Sequence, residues 1–193
     1  MTRKRGLRWP VLVGLAVLSF ATVVASSSQG GGAPPKPESA VSREDAKQVF
    51  ERFKSQAGRW EGRSTAGWEG ALVVSVIARG SAVLSASSFK DEPQEGMATL
   101  IHMDGERLML THYCEAGNQP RLVLSSVEDA GQTVTFTFLD GTNLASRDRG
   151  HMDSVVFRFV DEDNYTSRWS WYSKGRETWF EEIRYSRVPR AAK

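Results

Sequence analysis

Beyond Gly58 the chain consists of short segments in which apolar and polar residues alternate, separated by turn residues. Strict alternation is typical of strands with one buried face, and residues 133–138, TVTFTF, are the clearest case. The pairs Asp104-Gly105 and Lys174-Gly175 are two-residue hairpin signals. Many short strands with short turns and no later helix predict an antiparallel barrel or sandwich. We place ten strands near residues 58–65, 71–78, 81–88, 96–103, 106–114, 120–127, 132–138, 152–160, 164–172 and 176–187.

One amphipathic helix is predicted ahead of the strands. Ser42 and Asp45 have the spacing of a capping box at a helix start, and the helix is expected to end near Gly58. Its apolar residues recur at helical spacing and need a surface to cover. These residues are Ala46, Val49, Phe50, Phe53 and Ala57.

The N-terminal segment has the pattern of an export signal. Basic residues precede a short apolar run at 11–24, and small residues follow it. The run is short for a membrane span, which needs about 20 residues, although an uncleaved anchor is the alternative. We predict a signal peptide at 1–25, a flexible Ser/Gly/Pro linker at 26–40 and a folded domain at 41–188. The mature chain is then periplasmic or extracellular, without a stable membrane anchor.

Charge and cysteine content exclude some classes of partner and of stabilisation. The whole chain carries a net charge of +2, and removal of the four basic signal residues leaves about −2. The folded part therefore lacks the basic patch of a nucleic-acid-binding domain. Cys114 is the only cysteine, so no internal disulfide is possible and packing must hold the fold.

The order of short and long turns predicts a barrel with two unlike ends. In an up-and-down meander, alternate connections lie at opposite ends. If the helix leads into the first strand, the tight turns at 79–80, 104–105, 128–131 and 161–163 gather at the helix end. The longer loops at 66–70, 89–95, 115–119, 139–150 and 173–175 gather at the other. A barrel closed by a helix at one end and open at the other is a common place for a small-molecule site.

Strand parity places a group of polar residues at the open end. His112 should face inward if Leu110 does, and His151 should face inward because it shares parity with Val155. His102 lies at the closed end and is excluded. We predict that the ligand contacts His112, Asn118, Gln119, Arg121, Asn143, His151, Trp169 and Trp171. The apolar wall is predicted to be Leu108, Leu110, Val134, Phe136, Phe138, Phe157, Phe159, Trp169 and Trp171.

Two chemical interpretations of this group are possible, a nucleophile with its base and a zinc site. A Cys114–His112 nucleophile and base is disfavoured, because residues two apart on a strand are about 6.5–7 Å apart and a catalytic hydrogen bond needs roughly 3 Å. The trio of His112, Cys114 and His151 has ligand types that suit zinc, but no acidic partner is placed to orient the imidazoles. No cofactor is therefore expected. We interpret Glu181 and Glu182 as a solvated edge.

Two sequence patterns resemble known families. Gly58-Arg59-Trp60, a G-x-W after a short helix, resembles the lipocalin signature of the calycin group, which implies that Trp60 packs at the closed end against a late arginine, Arg184 or Arg187. Residues 50–188 also resemble an uncharacterised group of lipocalin-like bacterial proteins. That resemblance rests on G-S-A-V at 80–83, D-G at 104–105, T-H-Y-C at 111–114, N-Q-P at 118–120 and H-M at 151–152. A glutamate usually follows the first of these motifs, and 84–87, LSAS, replaces it here.

The sequence therefore predicts an exported, lipocalin-like barrel that binds a small, partly apolar ligand at its open end. The alternative is a metal- or histidine-assisted hydrolase or isomerase that uses His112 and His151. A haem-binding barrel of the nitrobindin type is a further alternative, disfavoured because the G-x-G-x-G-x-Y-P segment of that family is absent after Gly58. Whether any reaction is catalysed, the oligomeric state and the redox state of Cys114 stay open.

Overall fold

The structure, a computed structural model, describes residues 41–91 and 96–189; the predicted signal peptide and linker lie outside them. One helix, α1 (Arg43–Ser55), precedes ten strands. The strands are β1 (Gly58–Ser64), β2 (Glu69–Ile77), β3 (Ala82–Phe89), β4 (Ala98–Asp104), β5 (Arg107–Tyr113), β6 (Gln119–Glu128), β7 (Thr133–Thr142), β8 (His151–Phe159), β9 (Asn164–Ser173) and β10 (Arg176–Arg187). Each pairs antiparallel with its neighbours in sequence, and β1 pairs with β10 to close the barrel. The predicted fold class is confirmed. No helix among the described residues is long and apolar enough to cross a membrane.

Helix α1 covers one end of the barrel. Ser42 caps it, since its Oγ accepts a hydrogen bond from the Asp45 backbone N–H at 3.1 Å. Phe53 then inserts between aromatic rings of the barrel, with ring centroids 5.0 Å from Phe157 and 5.5 Å from Phe159. Arg52 donates to the Gly131 carbonyl in the β6–β7 turn at 2.8 Å. The helix therefore lies at the end with the tight turns, as turn length predicted.

Trp60 and Arg187 join the first strand to the last. The Trp60 ring is fully buried, and the Arg187 guanidinium carbon lies 4.2 Å from its centroid. Arg187 also donates to the carbonyls of Ala57 and Glu162, at 3.1 and 2.9 Å. Arg184 is exposed. The predicted tryptophan–arginine contact is confirmed, and Arg187 makes it.

Bulges in β8 and β10 shift strand parity near the end opposite the helix, and two further register shifts interrupt the β6–β7 ladder. In β8 the pairing with β9 skips a residue between Met152 and Ser154. In β10 the pairing skips between Glu177 and Trp179. An extra residue on one strand moves every later side chain to the other face. Trp171 consequently pairs with Trp179 and Trp169 pairs with Glu181, whereas the register of a regular Lys174-Gly175 hairpin would pair them with Thr178 and Phe180.

The barrel interior is packed solid on one side only. Inward residues of β5, β6 and β7 are large, aliphatic or aromatic, and at most 1% exposed: Leu108, Leu110, Leu122, Leu124, Val134 and Phe136. On the other side, β3, β4 and β9 carry small hydroxyl side chains at inward positions, namely Ser85, Ser87, Thr99 and Ser167. Short side chains cannot fill the space between the strands, and a cavity results.

Candidate functional site

The cavity extends along the barrel from the C-terminal end of α1 to the β1–β2 turn. Phe53 and Gln56 line it at the helix end, and Trp68 and Met97 line it at the other. Its volume is about 70 Å³, where one water molecule occupies 10–15 Å³ by the same measure. That space corresponds to about five or six water molecules and is smaller than the roughly 150 Å³ of an apolar cavity that binds benzene, so a single ring is the upper limit of what it can take. Its wall is mostly aromatic and aliphatic.

The predicted apolar wall is only partly the wall of this cavity. Phe157, Phe159 and Trp169 line it. Leu108, Leu110, Val134 and Phe136 do not, because they are packed into the solid side of the barrel. Among the described residues, β6 and β7 contribute no side chain to the cavity. Periodicity identified inward residues correctly, but it could not tell a filled interior from a hollow one.

His112 is the polar residue of greatest interest in the cavity wall. It is 4% exposed, and its ring lies against Trp169 with centroids 4.7 Å apart. Its Nδ1 lies 3.0 Å from Thr99 Oγ1, whereas its buried Nε2 has no hydrogen-bond partner among the described residues. Burial lowers the pKa of His112 from 6.5 to about 4. The imidazole is therefore neutral at physiological pH, with one nitrogen fixed and the other free.

Gln56 is a second polar residue in this wall with an unpartnered atom. It caps the C-terminus of α1 and is 6% exposed. Its Nε2 faces the Arg52 carbonyl oxygen at 3.4 Å and the Ser55 hydroxyl at 3.2 Å. Its Oε1 is buried without a partner among the described residues. Because a carbonyl can only accept, the amide nitrogen must be the atom that faces Arg52.

Glu181 lines the cavity at the end away from the helix, which corrects the prediction of a solvated edge. Its Oε1 accepts hydrogen bonds from the Ser64 hydroxyl and from Trp68 Nε1, the latter at 2.6 Å. Trp68 in turn packs edge-on against Phe89, with centroids 5.0 Å apart. The signal that the sequence analysis missed is the bulge before Trp179, which turns Glu181 inward beside Trp169.

His151 does not line the cavity, and its predicted inward orientation is wrong. The bulge at Asp153 turns Met152 inward in its place. His151 is fully buried between Phe138 and Tyr172, with centroids 4.6 and 5.6 Å away. Its Nδ1 donates to the Arg149 carbonyl at 2.6 Å, and Arg147 donates to its Nε2. Both ring nitrogens are thus occupied by the loop before β8.

Most other predicted ligand residues form hydrogen bonds and ion pairs at the rim, the end of the barrel opposite the helix. Asn118 donates to the Gly150 carbonyl at 2.8 Å, and Gln119 Oε1 accepts from Thr142 and Asn143 at 2.7 and 3.1 Å. Arg121 makes a two-pronged ion pair with Asp140. These contacts tie the β5–β6 turn to the loop between β7 and β8. Gln119, Arg121 and Asn143 are thus occupied by neighbouring groups, whereas Asn118 Oδ1 is buried without a partner among the described residues.

Trp171 and Cys114 also lie outside the cavity. Trp171 is partly buried and stacks on Trp179 with centroids 6.1 Å apart. Cys114 is half-buried, and burial raises the pKa of its thiol, which keeps it protonated and weakly nucleophilic at neutral pH. No group of three or more His, Cys, Asp or Glu among the described residues could hold a metal ion. The structure does not assemble the zinc trio of His112, Cys114 and His151.

Comparison with known proteins supports the fold. No family model and no curated protein matches the chain. Among solved structures it is similar to Rv2717c from M. tuberculosis, with a TM-score of 0.52 and 10% identity over 73% of this chain and 98% of that one. A protein of unknown function from the DUF3598 family of Nostoc punctiforme matches with a TM-score of 0.48 and 12% identity over 70% of this chain. This chain spans about half of that protein's length, 49%. The barrel is consistent with a calycin-type fold, and the G-S-A-V to H-M pattern stays a prediction.

Proposed function

We propose that the barrel binds a small, partly apolar ligand inside its cavity. The observation that carries the proposal is His112 Nε2, a buried polar atom without a partner in an otherwise largely apolar wall. A buried polar atom that makes no hydrogen bond costs about 1–3 kcal/mol. A ligand that bonds to this nitrogen removes that cost, and Thr99 holds the ring in place for it.

The wall around His112 defines the rest of the ligand. Trp169 lies against the imidazole, and Phe157, Phe159 and Tyr165 continue the wall toward the helix. Aromatic walls favour flat, apolar groups, and a few polar atoms fix their orientation. The ligand is therefore no larger than one ring, with one polar group near His112.

The rim residues support this site without contacting the ligand. Asn118, Gln119, Arg121 and Asn143 are engaged with each other and with neighbouring loops, and His151 is enclosed by Arg147. A reaction that uses His112 and His151 together has no support, since only His112 lines the cavity.

Native mass spectrometry of the protein purified from its own compartment tests the proposal. We expect a retained mass of a small organic molecule in the wild type, and loss of that mass in His112→Leu. The control is His102→Leu, because His102 lies outside the cavity and bonds to the Met103 carbonyl. A Soret band or a metal mass would replace the proposal with the haem or zinc alternative. Wild-type protein without any bound mass, and without binding of compounds from its own extract, would refute it.

We also infer that the mature protein acts outside the cytoplasm. The basic and apolar segments of residues 1–25 support this inference. N-terminal sequencing of protein recovered from the periplasm or medium should begin after Ala25. Recovery of the full-length chain from the cytoplasm alone would contradict it.

A further inference from the structure

The cavity has a second unpartnered polar atom, at the end that is covered by helix α1. Gln56, the C-terminal cap of α1, lines the cavity there, and its Oε1 is buried without a partner among the described residues. His112 comes from the C-terminal half of β5, whereas Gln56 comes from the end of α1. The cavity therefore contains two polar positions, separated by aromatic wall.

The chemistry of the Gln56 position is fixed by its surroundings. The amide nitrogen is committed to the Arg52 carbonyl and the Ser55 hydroxyl, so the oxygen is the atom left without a partner. A carboxamide oxygen accepts hydrogen bonds and cannot donate them. It is satisfied only by a donor, and the neighbouring Phe53 and Phe159 supply none.

We propose that Gln56 Oε1 selects ligands that carry a hydrogen-bond donor at the end that lies beside helix α1. The class is an uncharged compound of at most one ring, with a hydroxyl or N–H group at this end in addition to the polar group near His112, and phenol represents the donor alone. A cationic donor is disfavoured, because burial among aromatic side chains penalises a charge, and the carboxylate of Glu181 lies at the other end of the cavity, bonded to Ser64 and Trp68. This inference rests on the proposed function, since it assigns the ligand class of the same cavity.

The backbone of Gln56 is held against the first strand. The backbone carbonyl of Gln56 accepts from Trp60 Nε1 at 2.9 Å, and Arg187 packs on that same tryptophan ring. The cap residue is thus fastened to β1 through its backbone. A side-chain substitution at Gln56 leaves this bond in place, so the oxygen can be removed without detaching the helix.

The test compares phenol with toluene, which have nearly the same shape but differ in the donor. Binding of both probes to the purified chain is measured by calorimetry for wild type and Gln56→Leu. We expect phenol to bind about tenfold tighter than toluene to the wild type, the effect of one buried hydrogen bond. In Gln56→Leu the preference should reverse, because toluene is the more apolar probe. Gln56→Met provides a second variant with an unbranched side chain, and circular dichroism checks that both variants fold.

The outcomes separate this inference from the proposed function. Reversal of the preference in either folded variant supports the donor selection. An unchanged phenol-to-toluene ratio in both variants overturns it, while binding of the probes leaves the cavity as a ligand site. If neither probe binds the wild type, and native mass spectrometry finds no retained ligand, the proposed function fails and this inference fails with it.

Discussion

Strands β5–β7 and strands β3, β4 and β9 follow the same alternation, yet one group fills the barrel and the other leaves it hollow. Leu110 and Phe136 on the filled side are fully buried against neighbouring side chains. Ser85 and Ser167 on the hollow side occupy equivalent inward positions and reach less far. Side-chain length at inward positions, more than strand pattern, decides where a ligand can enter. Substitutions on the two sides test this contrast, from the largest expected effect on stability to the smallest.

The first prediction compares the same substitution on both sides. Leu110→Ala should lower the free energy of unfolding by about 4 kcal/mol, because it leaves a new void in a solid core. Leu72→Ala should cost about 2 kcal/mol, since Leu72 already borders the cavity and has fewer contacts to lose. Urea denaturation of both variants measures the difference. Equal losses would mean that the two sides are packed alike.

The second prediction concerns the pH dependence that His112 imposes. Its pKa is about 4 in the folded protein and near 6.5 when unfolded. Between these values the unfolded chain binds more protons, so stability falls as pH drops from about 6.5 toward 4. The full shift corresponds to about 3 kcal/mol.

Urea denaturation at several pH values measures this dependence. His112→Leu should flatten the profile between pH 4 and 6.5, and the control His102→Leu should leave the wild-type slope intact. A wild-type slope that survives in His112→Leu would assign the pH dependence to other groups.

The third prediction fills the hollow side. Ser85→Leu places an apolar side chain in the cavity and should abolish retention of the ligand, while the free energy of unfolding changes by about 1 kcal/mol or less. The matched control is Ala86→Leu, the next residue, which is exposed on the outer face. Native mass spectrometry and urea denaturation report the two quantities. Full ligand retention in Ser85→Leu would place the ligand elsewhere.

The smallest effect is expected at the rim. Arg121→Gln breaks an exposed ion pair with Asp140, and such pairs contribute about 0.2–1 kcal/mol. Ligand retention should not change, because Arg121 lies outside the cavity wall. A loss of ligand in this variant, with stability preserved, would restore Arg121 as a contact residue and extend the site to the rim.

The fold was easier to predict from the sequence than the site. Alternation and turn residues predicted ten strands and the helix, because each is a local property of consecutive residues. His112 and Trp169 were placed correctly by parity, since no bulge precedes them in their strands. His151 and Glu181 were misplaced because each lies beyond a bulge, and an extra residue leaves no clear mark on the local alternation.

The hollow interior itself depends on relations that local patterns do not contain. Ser85, Thr99 and Ser167 come from three strands, and only their joint arrangement leaves room. Gln56 belongs to the helix cap, and its orientation depends on the Arg52 carbonyl and on Trp60 in β1. A set of small residues distributed over distant segments becomes a site only when the barrel closes.

Closure through Arg187 has a consequence for the order of folding. Arg187 and Ala57 are 130 residues apart in sequence, and the β1–β10 ladder forms only when the last strand is present. Contacts of such long range slow folding, because loop entropy is lost before they form. During synthesis, β1 therefore keeps one unpaired edge until β10 emerges. A chain that stops after β9 keeps two open edges, which are the usual templates for aggregation.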